Sequence, residues 1–169
     1  MRKFLTILFP NNVEGYVDFK NRFKDDLVEL LCVANEDWND FYILNNIIRN
    51  AKGKYVCVIT KNEKVLDNFL DEVMNAIGAD KDVIVYNTVD SKGDVTKYTS
   101  LIKGFKNFEK QENDIMGLQY FHIVKKRIAN MVIFRDDHPL GAYGFYSKKV
   151  QSLCFTESLI RKELIMRDV

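Results

Sequence analysis

The chain has 169 residues, of which 47% are hydrophobic and 29% charged, and its formal net charge is +1. That length suits one domain with a sizeable core, and a content of only eight glycines and two prolines excludes a linker or a low-complexity chain. The nearly balanced charge lacks the clustered basic excess of a nucleic-acid-binding protein, and we interpret the run Lys125-Lys126-Arg127 as a solvated face.

The apolar runs and the cysteines indicate the compartment. No segment approaches the ~18 consecutive apolar residues of a membrane span, and the apolar run at residues 4–9 is shorter than a signal-peptide core. Cys32, Cys57 and Cys154 form no C-x-x-C pair, and an odd number of cysteines without metal-ligand spacing favours a reducing compartment. We therefore expect a cytoplasmic protein without a transmembrane segment, with buried free thiols.

The first half of the chain alternates short apolar runs with amphipathic stretches. The apolar runs predict buried strands, and the stretches with apolar residues every three or four positions predict helices. We expect Lys52-Gly53 to end the second helix as a C-terminal glycine cap. Continuous apolar strands in a β-α-β order are typical of a parallel sheet covered on both faces. The strands are predicted at 3–9, 28–34, 55–59 and 82–89, and the helices at 16–27, 38–51 and 65–77.

The second half is less regular. Residues 96–108 and 155–167 predict helices, the latter as the last element of the chain. Residues 120–124, 131–134 and 142–146 predict strands, and 136–141 predict a loop. We see no internal repeat and no domain boundary, so we expect one domain over residues 1–169.

Polar residues follow three of the predicted strands at their carboxyl ends. These are the segments 10–12, 35–37 and 60–63, and each contains asparagine. In an open α/β sheet, ligands bind beyond the carboxyl ends of the strands. Asparagine amides suit hydrogen bonding to a sugar or a base. They also suit turns and helix N-caps, so loop and cap residues are the alternative interpretation.

Several segments stand in a characteristic order. They read LTILFPNN, LCVANEDWND, ILNNIIRNAKGKYVCVITKNE and VLDNFLDEVM, with a weaker echo in YGFYSKKVQSLCFTESLIRKEL. In this order and spacing they resemble the motifs of the family-2 glycosyltransferases, over most of the chain apart from residues 100–138. The resemblance implies a GT-A-like (Rossmann-like) α/β fold, a mainly parallel sheet with helices on both faces. It also implies a nucleotide-binding half at 1–95 and an abbreviated acceptor half at 96–169.

Such enzymes transfer a sugar from a nucleotide-diphosphate donor to an acceptor, and their Asp-x-Asp motif holds Mg²⁺ or Mn²⁺. A hard cation on oxygen ligands neutralises the leaving diphosphate. Here Thr60 and Asn62 occupy the two Asp positions, and Glu63 occupies the Asp that often follows. Asn62 and Glu63 are therefore the candidate metal ligands, in a weakened site. The alternative is that Glu63 lies in the first turn of the next helix and favours its dipole.

The resemblance also implies donor-binding residues. Pro10 and Asn11 follow the first strand, and Ala34 or Asn35 stands where the family has an Asp that contacts uracil; we take Asn35 as the candidate. Asn45 falls on the family's asparagine, and Lys52 falls in its Ala-Lys-Gly segment. We expect these five residues to contact the nucleotide sugar.

Two glutamates are candidates for the catalytic base. Glu163 falls on the Asp of the family's Glu-Asp pair, and Glu157 falls on an earlier family glutamate. A carboxylate within hydrogen-bond reach of the acceptor hydroxyl is what the step requires. The alternative is that both are solvated helix residues. The segment 136–138, Asp-Asp-His, is open to interpretation as a metal site or as a turn.

Three hypotheses remain from the sequence. The first is a small transferase that uses a nucleotide sugar, an unknown acceptor and unusual ligands. The second is a catalytically degenerate GT-A domain that acts as a binding or interaction module. The third is an unrelated α/β domain. An aromatic content of 12% also leaves room for a homodimer interface.

Overall fold

The computed structural model describes residues 2–33, 41–97, 123–132, 149–150 and 152–168, with the backbone alone for 41–44. The strands within these residues are β1 (Lys3–Pro10), β2 (Val28–Val33), β3 (Gly53–Val58), β4 (Glu63–Val65), β5 (Val83–Val89), β6 (Val95–Thr96), β7 (Ile123–Lys125) and β8 (Glu157–Arg167). The main helices are α1 (Val13–Arg22), α2 (Phe41–Asn50), α3 (Phe69–Ile77) and α4 (Lys126–Ala129).

These strands form one mixed sheet in the order β2-β1-β3-β7-β5-β8-β4, with β6 beside β5. β1 pairs in parallel with β2 and β3, and β5 pairs in parallel with β8. β7 runs antiparallel to both β3 and β5, so β3 and β5 point the same way. β1, β2, β3, β5 and β8 therefore share one direction. We call the side where these five strands end the carboxyl edge, and the opposite side the amino edge.

The sheet separates two apolar layers, because successive side chains of a strand point to opposite faces. On one face Phe9 packs against Phe19 of α1, which in turn contacts Phe69 of α3. On the other face Leu8 belongs to a layer with Ile48 of α2. Helices cover both faces, as the sequence predicts.

The cysteines are packing residues. Cys57 and Cys154 are buried, Cys32 is half-buried, and all three are free. Burial raises the pKa of Cys154 to about 12 and holds the pKa of Cys57 well above its usual value. Thiols that stay protonated at neutral pH are poor nucleophiles.

The prediction of a last helix at 155–167 is wrong, because this segment forms β8. Residues 157–166 of β8 pair with β5 along its whole length. The register shifts near Asn87, where β8 forms a bulge and the exposed Arg161 and Lys162 have no partner on β5. Leu159, Ile160, Leu164 and Ile165 fit a helix period about as well as a strand period. Tertiary pairing with the buried strand β5 decides between the two.

The third helix begins later than predicted. Residues 63–65 form β4, which pairs antiparallel with the end of β8, so Val65 faces Ile165. α3 starts only at Phe69. Gly53 is not a helix cap either, since α2 ends at Asn50 and Gly53 is the first residue of β3.

Other second-half predictions fall partly outside the described residues. Val95–Thr96 is a strand, which contradicts a helix starting at 96, and the rest of that predicted helix is not described. β7 confirms the end of the strand predicted at 120–124. Met131 lies in a turn rather than a strand, and the loop at 136–141 and the strand at 142–146 lie outside the described residues. Within the described ranges, no helix is long and apolar enough to cross a membrane.

Candidate functional site

A cavity of about 370 Å³ lies at the carboxyl edge of the sheet. It opens where β1, β3 and β8 end and where α1 and β4 begin, which is the edge at which open α/β sheets bind ligands. Charged side chains of both signs surround it. It is lined by Phe9, Asn12, Glu14, Gly15, Asp18, Ile59, Lys61, Asn62, Glu63, Lys64, Val65, Met166 and Asp168.

Asn12 holds the floor of this cavity together. Its side chain is buried, and Nδ2 donates a hydrogen bond to the carbonyl oxygen of Thr60 at 2.9 Å. Its Oδ1 accepts a hydrogen bond from the N–H of Gly15 at 3.0 Å, which caps the start of α1. One amide therefore joins the end of β1, the beginning of α1 and the end of β3. The cap interpretation of these asparagines is confirmed for Asn12.

Asn11 is the exposed member of the segment after β1. Its φ of 47° lies in the left-handed region, which asparagine tolerates better than most residues. Its N–H donates to the carbonyl oxygen of Val33 at 2.7 Å, so the backbone is fixed while the side chain stays in solvent. Pro10 is a buried strand residue paired with Val33, so it shapes the edge and offers no polar group.

Glu63 is a buried carboxylate with internal partners. Its side chain is 8% exposed, and Oε1 accepts hydrogen bonds from the N–H of Thr60 at 3.0 Å and from its Oγ1 at 2.7 Å. Burial raises the pKa of Glu63, against the opposing effects of these bonds and of the positive charge of Arg167. Glu63 begins β4 opposite Arg167, so the helix-dipole alternative is wrong.

The predicted metal ligands do not fit a divalent cation. Glu63 directs an oxygen at Thr60 and is held in a low-dielectric environment, and Asn62 is an exposed, neutral residue. Mg²⁺ in proteins is bound by one or two carboxylates and keeps several waters. A buried carboxylate that is bonded to its own turn leaves no room for this hydrated ion. Among the residues that the structure describes, no three His, Cys, Asp or Glu side chains are grouped to hold a metal. The segment 136–138 lies outside them.

We expect Glu63→Gln and Glu63→Ala to differ in stability. Gln keeps a carbonyl oxygen for Thr60 and removes a buried charge, so its free energy of unfolding should change by less than about 1 kcal/mol. Ala leaves the N–H and hydroxyl of Thr60 without this acceptor and should lower that energy by about 2–3 kcal/mol. Urea unfolding measures both variants. Equal losses would contradict the turn-bonding role of Glu63.

The structure separates several predicted site residues. Lys52 precedes β3 at the amino edge, about 20 Å from the carboxyl edge at ~3.3 Å per strand residue. Glu157 starts β8 at that same amino edge, opposite Val83. Glu163 lies within β8 opposite Asn87, and neither glutamate is on a helix. Lys52 and Glu157 therefore lie away from the cavity.

The remaining donor-binding predictions are placed only in part. Asn45 is half-buried in α2. Asn35 lies outside the described residues. Contacts of either side chain with a nucleotide stay predictions.

Three acidic residues of the cavity were missed in the sequence. Glu14 and Asp18 lie on α1, and Asp168 follows β8. The signal for Glu14 was the N-cap Asn12 followed by an acidic first turn, and Asp18 lies four residues further along the same face of α1. Asp168 has no local signal, since only the pairing of β8 brings it there. Its carboxylate accepts a hydrogen bond from the N–H of Ser91 at 2.8 Å, which lowers its pKa.

The fold matches solved glycosyltransferase structures. S. aureus TarS 1–349 in complex with UDP superposes with a TM-score of 0.70 at 11% identity, covering 98% of this chain and 60% of that one. The complex of TarS 1–349 with UDP-GlcNAc gives 0.68 at 11% identity, covering 96% and 58%. This chain thus spans about three fifths of TarS 1–349.

No protein-family model and no curated protein matches the sequence. The likeness to TarS, a GT-A family glycosyltransferase, extends over nearly the whole of this chain. The mixed α/β sheet with helices on both faces matches that fold. The chain has a GT-A-like glycosyltransferase fold.

Proposed function

We propose that this protein binds a nucleoside-diphosphate sugar at the carboxyl edge of the sheet and transfers the sugar to an acceptor. One observation carries the proposal: a GT-A-like fold covers 97% of the chain and keeps a polar cavity where strands of this fold class present ligand contacts. TarS has been solved with UDP and with UDP-GlcNAc, so a uridine-diphosphate sugar is the first donor to test.

The turn after β3 offers charges for the donor diphosphate. Lys61 and Lys64 are exposed, and both line the cavity on either side of the buried Glu63. Two ammonium groups stand close to where the family keeps two carboxylates and a cation. They can neutralise phosphate oxygens directly, as charge-assisted hydrogen bonds do, without a metal. Asn11 adds an exposed amide at the neighbouring strand end.

We expect the double variant Lys61→Gln/Lys64→Gln to bind UDP about three- to tenfold more weakly, because two exposed charge-assisted contacts are lost. Uridine lacks the diphosphate, so its affinity should not change. Lys92→Gln, an exposed lysine beyond β5, is the matched control for lost charge. Calorimetry with both ligands measures the effect. An equal loss for UDP and uridine would remove these lysines from the diphosphate site.

The alternative is a GT-A domain that binds without turnover. The neutral residues at the Asp-x-Asp positions favour it, because the charge that usually assists departure of the diphosphate is absent there. Release of UDP from UDP-GlcNAc separates the two. Release above the buffer rate, abolished with excess UDP, supports transfer. Binding of UDP-GlcNAc without release of UDP to water or to a panel of acceptors supports the binding module.

A further inference from the structure

Cationic side chains crowd the amino edge of the sheet, opposite the donor cavity. They surround a depression of about 380 Å³ together with one carboxylate, that of Asp80. The sequence pattern at 125–127 indicated only a solvated face, but the fold brings this run beside two other segments. We call these cations the basic rim; they are Arg2, Lys3, Lys52, Lys54, Lys125, Lys126 and Arg127.

Only part of the basic rim is neutralised. Asp80 forms ion pairs with Lys54 at 2.5 Å and with Lys125 at 3.2 Å. Asp82 pairs with Arg127 at 2.7 Å. Within the described parts of the chain, the other members of the rim have no carboxylate in ion-pair distance. They are Arg2, Lys3, Lys52 and Lys126. The amino edge therefore carries a local positive excess on a protein whose net charge is +1.

An aromatic ring stands beside this rim in solvent. Phe155 is 84% exposed, the largest value among the exposed large hydrophobic residues of the described chain. Its backbone is not free, because its N–H donates to Oδ2 of Asp82 at 2.9 Å. Oδ1 of the same carboxylate accepts a hydrogen bond from Arg127 at 2.7 Å. One buried carboxylate thus binds both the backbone of Phe155 and the guanidinium of Arg127, a member of the rim.

A second exposed apolar side chain follows Arg127 of the rim by four residues. Met131 is 57% exposed and follows α4, the helix that carries Lys126 and Arg127. Single exposed apolar residues are common and need no explanation. Two of them beside an unneutralised cationic rim are typical of surfaces that bind lipid interfaces. Lysine and arginine attract anionic headgroups, and aromatic rings partition to the headgroup level.

We propose that the amino edge docks on an anionic lipid surface, with the basic rim against the headgroups and Phe155 and Met131 inserted between them. This assigns an interaction surface rather than a membrane span. The donor cavity lies at the opposite edge, about 25 Å away by the length of β1, so it stays open to solvent in the docked protein. The surface is independent of the proposed transfer activity.

The test is sedimentation of the full chain with phosphatidylcholine vesicles, with and without phosphatidylglycerol. We expect binding only to the anionic vesicles, weakening as salt rises because exposed charges are screened. Lys52→Gln and Lys126→Gln should each weaken binding roughly fivefold, and Phe155→Ser about tenfold. Lys92→Gln and Val95→Ser, exposed residues near the carboxyl edge, should bind as the wild type does.

Three results would overturn this proposal. One is no binding to anionic vesicles at low salt, and another is equal binding to vesicles with and without phosphatidylglycerol. The third is self-association that Phe155→Ser abolishes while vesicle binding is unchanged, which would assign the ring to a contact between copies. Since Phe155 is exposed, its substitution leaves the fold intact and each result remains interpretable.

Discussion

Gly53→Ala should lower the free energy of unfolding by more than about 3 kcal/mol. A Cβ at this position would lie 2.4 Å from the backbone nitrogen of Thr6 and 2.6 Å from the carbonyl carbon of Leu5. Both atoms belong to β1, whose pairing with β3 is the parallel core of the sheet. The clash is with backbone, so a side-chain rotation cannot relieve it.

The hydrogen bonds around Gly53 oppose any shift of β3. Its N–H donates to Oγ1 of Thr6 at 2.8 Å, and the Thr6 hydroxyl donates to Glu29 of β2 at 3.0 Å. Moving β3 away to admit a methyl group would break this link across three strands. The glycine of the Ala-Lys-Gly segment is thus required by a close approach of two strands and not by a helix cap.

Gly78→Ala is the matched control for this prediction. Gly78 has a φ of −59° in the right-handed helical region, and an added Cβ would come no closer than 3.4 Å to another atom, the carbonyl oxygen of Asn75. Alanine should therefore be neutral or stabilise by up to about 1 kcal/mol. Urea unfolding of both variants gives the comparison. Similar unfolding midpoints for Gly53→Ala and the wild type would refute the close-approach explanation.

Asp82→Ala should lower the free energy of unfolding by about 2–4 kcal/mol at neutral pH. Asp82 is 4% exposed, and Oδ2 accepts hydrogen bonds from the N–H groups of Phe155 and Thr156 at 2.9 and 3.2 Å. Arg127 donates to its Oδ1. Removing the carboxylate leaves these donors without their acceptor and loosens the start of β8 from β5. Asp94→Ala, in the exposed turn after β5, should change stability by less than about 0.5 kcal/mol.

The loss of stability in Asp82→Ala should depend on pH. Burial tends to raise the pKa of this carboxyl, but the bonds from Phe155 and Thr156 and the charges of Arg127 and Lys125 outweigh burial and lower it below 3.8. A lowered folded-state pKa contributes stability that is present above the unfolded pKa and lost as pH falls through the folded value. The gap between wild type and Asp82→Ala should therefore shrink below about pH 4. A gap that stays constant down to pH 2 would assign the effect to packing.

The fold could be predicted where apolar residues dominate a short run. The runs at 3–9, 28–34 and 82–89 are mainly apolar, and each is a strand within one residue of the prediction at either end. The prediction of a helix at 155–167 failed because the apolar residues there fit both the helix and the strand period. Only pairing with β5 decides between them. β4 was not predicted because a stretch of three residues becomes a strand only through its pairing with the end of β8.

The position of the candidate site could be predicted from the sequence, but the set of side chains that line it could not. Strand ends rich in asparagine predict a site at the carboxyl edge, and Asn12 and Asn62 line the cavity there. What the sequence could not show is which carboxylates turn inward. The position of Glu63 in the sequence predicts a metal ligand, but its hydrogen bonds with Thr60 direct the carboxylate into the protein. Lys52 and Glu157 lie at the amino edge. A family motif gives the order of residues along the chain, but it does not say at which end of a strand each residue lies.

The most direct measurement is a calorimetric titration of UDP into the protein, first with a chelator and then with Mn²⁺. Because Lys61 and Lys64 face the cavity and Glu63 is bonded internally, we predict binding with the same affinity under both conditions. Binding only with Mn²⁺ would contradict the metal-free site and require a cation held by other residues. No binding under either condition would contradict the proposed donor site itself.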